Sequence, residues 1–239
     1  LNSGMTYFLD ANSGELLYLG SSRKQEFDLD LDTGNHSGPA DSCWYWDFTW
    51  ENDNYCDEAG CNDDADAEGE AAFNNIRSTY VWFRNILGYN SYDGDGEEVE
   101  MYVHVGYGWQ NAHWMDNCEI FEFGDGVGNA MDVVAHEFTH AWTDHVIEGG
   151  LIYAWEPGAL SESFSDIFGS FAEHATGFWS PDYDWTIGET LPDYSVPDPG
   201  RCGSSRPLGI IRDLETPSLC GDPDHVSGIP DWPDVAICG

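Results

Sequence analysis

The sequence has 239 residues, of which 45 are Asp or Glu and 7 are Lys or Arg, giving a formal net charge of −38 and an isoelectric point near 4.1. Such a surface repels phosphodiester backbones and anionic lipid, which excludes binding to nucleic acid or to an anionic membrane. Hydrophobic residues at 41% and aromatics at 15% still supply a sizeable core, so charge-driven disorder is excluded as well, and the length suits one large domain or two small ones. Acid-rich surfaces of this kind belong to proteins of salty water or to calcium binders.

Thr6 to Leu19 reads as two short strands around an Asn-Ser-Gly turn. Asp41 to Glu70 is acidic and Cys-bearing. Asp and Asn oxygens recur there between Asp53 and Asp66 as in a calcium loop, but the ligand order of an EF-hand is not met, and a solvated loop pinned by a disulfide is the favoured reading. Ala71 to Leu87 places apolar residues at helical spacing, with Gly88 as the stop. Glu98 to Gly106 alternates Val99, Met101, Val103 and Val105 with polar residues, the period of a half-buried strand. Two helices follow, Asp132 to Val146 and Ala159 to Ala175, separated by a connection bearing Gly and Pro. Past Gly177 the chain is rich in Pro, Asp and Gly, as in a long irregular lobe held by calcium or disulfides.

The seven cysteines, Cys43, Cys56, Cys61, Cys118, Cys202, Cys220 and Cys238, contain no C-x-x-C pair. Disulfides of an oxidising compartment are expected, paired locally within Cys43/Cys56/Cys61 and within Cys202/Cys220/Cys238, and the odd count leaves one thiol without an intrachain partner. No apolar run approaches the about 18 residues of a membrane span. The chain opens at Leu1 with neither an initiator Met nor a basic, apolar leader, the pattern of a processed, secreted product.

The chemistry concentrates at His136-Glu137-Phe138-Thr139-His140. On a helix His136 and His140 lie one turn apart on one face, so both imidazoles reach one cation, and zinc accepts that pair. Glu137 projects about 100° around the helix from His136, where it can hold a water as general base. On the next helix Glu162 and Asp166 stand at i and i+4. One carboxylate supplies the third ligand and the other takes the N–H of a ligating imidazole. Three protein ligands and an open position describe a catalytic zinc.

Together with Ser91-Tyr-Asp-Gly, Asn111-Ala-His-Trp114, Gly124-Asp-Gly126, Gly150-Leu-Ile-Tyr153, Gly158-Ala-Leu-Ser-Glu162 and Ser165-Asp-Ile-Phe-Gly169, this motif resembles the thermolysin family of zinc metalloendopeptidases from Ala71 to Gly221. The resemblance implies an α+β, zincin-like fold. A β-rich N-terminal lobe precedes the active-site helix, a second helix carries the third zinc ligand, and a long irregular segment stabilised by calcium and disulfides follows. It implies one catalytic zinc on His136, His140 and Glu162, with Glu137 activating water, Asp166 orienting His136 and Tyr153 donating to the oxyanion. Asn111 and Ala112 would bind substrate backbone at an edge strand, and Val133, Ile187, Ile211 and Arg212 would form an apolar primed-side pocket. Asp132, Glu173, Asp182, Asp184 and Glu189 would hold one or two calcium ions.

Residues 1–30 resemble the close of the family's inhibitory pro-region or form a mature N-terminal hairpin, and residues 31–239 are the catalytic domain. His225 invites assignment as the family's transition-state histidine. Arg212, followed nine positions later by Gly221-Asp-Pro-Asp-His225, instead fits an earlier family stretch, in which His225 is structural. In that register the family's helical C-terminal lobe is absent. The expected function is a secreted zinc-dependent endopeptidase acting on protein or peptide substrates, with its own pro-region or a separate C-terminal chain as further partners. The alternatives are a structural or calcium-dependent assembly protein that keeps the peptidase architecture, and one chain of a nicked two-chain peptidase.

Overall fold

A computed structural model places residues 5–9, 16–21, 28–34, 54–57, 59–148, 150–176, 185–191 and 210–224. Strands β1 (Met5–Leu9) and β2 (Leu16–Ser21) pair antiparallel, with Met5 opposite Ser21, and form the expected two strands. The main sheet contains β3 (Leu29–Thr33), β4 (Asn54–Asp57), β5 (Gly60–Cys61), β6 (Val99–Val103), β7 (Ala112–Met115) and β8 (Ile120–Phe123) in the order β5-β4-β3-β6-β8-β7. β6 runs parallel to both β3 and β8, and the other pairs are antiparallel. Cys56 and Cys61 face each other across β4 and β5 and are bonded, in agreement with local pairing; Cys118 and Cys220 each take part in a separate disulfide. Cys43, Cys202 and Cys238 lie outside the described residues.

Helix α1 (Ala67–Trp82) begins four residues before the expected Ala71. Asp66 caps it, its carboxylate accepting from the N–H groups of Glu68 (3.0 Å) and Gly69 (2.9 Å), and Glu68 and Glu70 complement the positive end of the helix dipole. The carboxylates read as the end of an acidic loop are thus a helix start. Phe83–Leu87 widens into a π-turn, and Gly88 ends it at φ 79°, a conformation open to glycine.

β6 departs from the half-buried expectation. Val99, Met101 and Val103 are buried on one face as the alternation requires, but Tyr102 on the other face is buried too, against Val105 and Ile120. A strand in the middle of a six-stranded sheet is covered on both sides, and the tyrosine hydroxyl finds an acceptor in Glu100.

Helix α2 (Met131–Val146) packs on the sheet through Phe138, which stacks on Phe121 of β8 with centroids 6.0 Å apart and meets Phe83 at 4.8 Å. Helix α3 (Trp155–Thr176) lies against α2. It starts four residues before the expected Ala159, because Pro157 sits in the first turn, where its missing N–H costs no helical bond. The two helices approach closely at Gly169, where a Cβ would stand 2.6 Å from the carbonyl oxygen of Asp132. In the tail, β9 (Thr186–Ile187) and β10 (Arg212–Asp213) pair antiparallel, with Arg212 opposite Ile187. Among the described residues no helix is long and apolar enough to cross a membrane.

Candidate metal centre

The 3.6-residue period of α2 places His136 and His140 on one face, their Nε2 atoms 3.0 Å apart. Glu162 of α3 completes a triangle, Oε2 lying 3.3 Å from Nε2 of His136 and Oε1 3.3 Å from Nε2 of His140. Ligand atoms about 2.0–2.2 Å from one zinc ion and separated by tetrahedral to right angles lie about 3.0–3.5 Å apart, so the three side chains fit the ion. Glu162 Oε2 is buried with no hydrogen-bond partner, an acceptor aimed at the same point.

Each imidazole is fixed from behind. His136 Nδ1 lies 2.8 Å from Asp166 Oδ1 and His140 Nδ1 lies 3.1 Å from Ser161 Oγ, contacts that direct both Nε2 lone pairs to the ligand point. Asp166 is held in turn by Arg212, whose Nε–H and Nη2–H donate to its two oxygens at 2.7 Å each. Burial disfavours a charged His136, yet the hydrogen bond to Asp166 and the nearby Glu162 carboxylate outweigh it and raise its pKa to about 10. Burial also opposes ionisation of Glu162, but its contacts with His136 and His140 hold it far below the usual carboxylate range. Without a metal, a proton between these groups supplies the positive charge that the cluster demands.

Glu137 lines the same cleft as His136, toward β7, and accepts from the backbone N–H of Trp114 on β7 at 2.9 Å. β7 is an edge of the main sheet and forms one wall of a cleft of about 970 Å³ whose floor is the His136–His140–Glu162 cluster. Asn111, Ala112, Tyr153, Val133, Ile187, Ile211 and Arg212 all line it. Tyr153 is half exposed and its hydroxyl reaches Glu162 Oε1. The cleft thus gathers every zinc-ligand, catalytic and substrate-contact residue expected from the sequence.

Three features escaped sequence reading. Ser161 holds the second imidazole, the Trp114 N–H holds Glu137, and Arg212 grips Asp166 from 46 residues away. Only Ser161 left a local trace, as the residue before Glu162.

Behind the cleft Asp132, Glu173 and Glu189 place carboxylate oxygens within 4.8 Å of one another. Asp132 is fully buried, and burial followed by the charge of Glu189 pushes its carboxyl up to about 7, although the N–H groups of Gly188 and Val133 donate to it. Asp182 and Asp184, and His225, lie outside the described residues.

Residues 3–144 match the model of the thermolysin metallopeptidase catalytic domain, and residues 149–235 match that of the thermolysin metallopeptidase alpha-helical domain. The chain belongs to the thermolysin metallopeptidase family. Membership implies a catalytic zinc, for which His136, His140 and Glu162 are the candidate site. The second match overturns the expectation that the C-terminal helical lobe is absent: α3, with the third ligand, falls inside the matched region. The register drawn from Arg212 and His225 treated that region as an extension of the catalytic domain and so placed the lobe beyond the chain.

Among thermolysin-family relatives, the bacillolysin of Brevibacillus brevis is 39% identical over 156 residues, covering 63% of this chain and 26% of its own length. An extracellular metalloprotease of Pectobacterium carotovorum subsp. carotovorum is 37% identical over 166 residues, covering 66% of this chain and 46% of its own. This chain therefore spans a quarter to a half of these two curated relatives. The structure is similar to that of the precursor of protealysin, a metalloproteinase from Serratia proteamaculans, with a TM-score of 0.60 and 27% identity over 78% of this chain and 58% of that one.

Proposed function

We propose that this chain carries the zinc centre of a secreted metalloendopeptidase that hydrolyses internal peptide bonds and favours apolar residues on the primed side. The observation that carries the reading is the convergence of His136, His140 and Glu162 on one point at the floor of a cleft, with Glu137 beside it and an edge strand along its wall. A zinc ion there supplies Lewis-acid polarisation and makes a water molecule a competent nucleophile near neutral pH.

The chain's own residues do the rest. A peptide lies along β7 as an added strand, bonded by the backbone of Ala112 and by Asn111. Glu137, oriented by the Trp114 N–H, takes the proton of the attacking water and passes it to the departing amine nitrogen. Tyr153 donates its hydroxyl to the oxyanion when substrate displaces it from Glu162. Val133, Ile187 and Ile211 give the primed-side wall its apolar character, while Asp166 and Arg212 hold His136 in place.

Asp132, Glu173 and Glu189 hold one calcium ion that ties α2, α3 and β9 together, and the family resemblance adds Asp182 and Asp184, which lie outside the described residues, as candidate ligands. The catalytic-domain match from residue 3 supports β1 and β2 as a mature N-terminal hairpin. The Cys56–Cys61 disulfide and the extracellular relative support secretion. Glu137→Gln tests the mechanism: hydrolysis of a casein-type substrate should fall by about 100-fold or more with zinc still bound. Undiminished hydrolysis at full zinc occupancy would overturn it.

A further inference from the structure

A third imidazole, outside the His136–His140–Glu162 cluster, lies among carboxylates. His104 follows β6 in the left-handed region, at φ 58°, a conformation uncommon for residues other than glycine. Its Nδ1 faces Asp125 Oδ1 at 2.9 Å and Glu68 Oε2 at 3.5 Å, and its Nε2 faces Asp66 Oδ2 at 3.0 Å. We propose that Glu68, His104 and Asp125 form a second divalent-metal site, taking zinc through His104 Nδ1, Glu68 Oε2 and Asp125 Oδ1, with Asp66 holding the outer nitrogen of the ring.

Two independent observations distinguish this group from a patch of surface carboxylates. The first is its arrangement around the imidazole. At metal–ligand distances of about 2.0–2.2 Å, donor atoms 2.9 and 3.5 Å apart subtend right to tetrahedral angles, and Asp66 Oδ2 stands 3.0 Å from the remaining ring nitrogen. The supporting atoms are fixed: Asp66 Oδ1 caps α1, and Glu68 Oε1 accepts from Gly126 N–H at 2.6 Å, which leaves the other oxygen of each for the ring or the ion.

The second is charge. Among the described residues three carboxylates, of Asp66, Glu68 and Asp125, stand within 3.5 Å of the nitrogens of one imidazole. A divalent ion removes that excess. One nitrogen with carboxylate oxygens suits zinc, whereas calcium calls for six to eight oxygens. Asp66 and Asp125 are open to solvent and give the ion its path. The site would join the start of α1, the end of β6 and the loop that leads into the catalytic helix.

The test reads metal, not hydrolysis, and so stands or falls apart from the proposed activity. Crystals of the whole chain grown with Zn²⁺ should show anomalous peaks at the zinc edge both at His136/His140/Glu162 and beside His104 Nδ1. Zinc content should fall from two ions per chain to one in His104→Asn, chosen because Asn tolerates the left-handed conformation, and the same loss should appear in Asp125→Asn should the first variant fail to fold. His136→Ala/His140→Ala should keep the His104 peak. No peak beside His104 at saturating zinc with the catalytic site full, or replacement of zinc there by equimolar Ca²⁺, would overturn the assignment.

Discussion

Asp166 is the residue on which zinc affinity and stability meet. Replacing it with Asn keeps the volume and an oxygen for His136 Nδ1–H, but the amide must then turn its NH₂ toward the Arg212 guanidinium, donor against donor. Asp166 is 4% exposed and the Arg212 side chain 22%, so the arginine is left with its charge largely buried and unmatched. Removing one partner of a buried ion pair costs about 3–5 kcal/mol, and loosening the carboxylate behind a ligating histidine weakens metal binding by about 10–100-fold. Asp166→Asn should therefore lose stability in urea unfolding and lose zinc in competition with a chelating dye. Adding Arg212→Met removes the stranded cation and should return part of the stability while leaving the zinc deficit, because His136 still lacks its carboxylate. If Asp166→Asn unfolds within about 0.5 kcal/mol of the parent and binds zinc equally well, the relay from Arg212 to His136 has no energetic role.

Gly169→Ala places a methyl group 2.6 Å from the Asp132 carbonyl oxygen and must push α2 from α3; a loss of about 1–3 kcal/mol in thermal or urea unfolding is expected, with raised KM if the cleft widens. In calcium-free protein the Asp132 carboxyl titrates near 7 against 3.8 in the unfolded chain, so the folded state keeps the proton longer. Stability should then fall by a few kcal/mol as pH rises from about 4 through about 7, and added calcium should reverse the trend, read by unfolding at each pH with and without the ion. Asp116, Asp144 and Asp222 line the cleft while Arg212, the arginine among its described lining residues, is committed to Asp166, so peptides flanked by Lys should be cleaved about tenfold faster, in kcat/KM, than those flanked by Glu, with the ratio shrinking as salt is added.

What the sequence discloses follows from how local the cause is. His136, Glu137 and His140 are legible because helical period alone fixes their relative directions, and Glu162 and Asp166 because one further helix carries both. The β7–β8 hairpin is opaque for a physical reason: Glu122 in its second strand is fully buried, paired with His113 directly across the ladder at 2.9 Å, so the strand shows a charge where periodicity expects a hydrophobe. The start of α1 is hidden by the same ambiguity, since Asp66, Glu68 and Glu70 look like solvated charge until the capping bonds of Asp66 are seen. Arg212 is illegible in principle, as nothing near it in the chain announces a partner 46 residues upstream.

The acidity acquires a structural meaning at three joints. Asp166 is met by Arg212 where α3 meets β10. Asp132, Glu173 and Glu189 gather where α2, α3 and β9 meet, and Asp66, Glu68 and Asp125 gather where α1, β6 and the loop into α2 meet. A chain with 45 carboxylates and 7 Lys or Arg cannot neutralise all such joints from its own side chains, and under the proposed sites cations from solution would take the place of basic residues. The catalytic zinc site and the two proposed cation sites share no ligand, so the stabilisations they would give should add. A calcium-selective and a zinc-selective chelator should each lower Tm, and together they should lower it by about the sum of the two shifts. Equal melting in all four conditions would mean that the joints are held by packing alone and that the clustered carboxylates have no cation to hold.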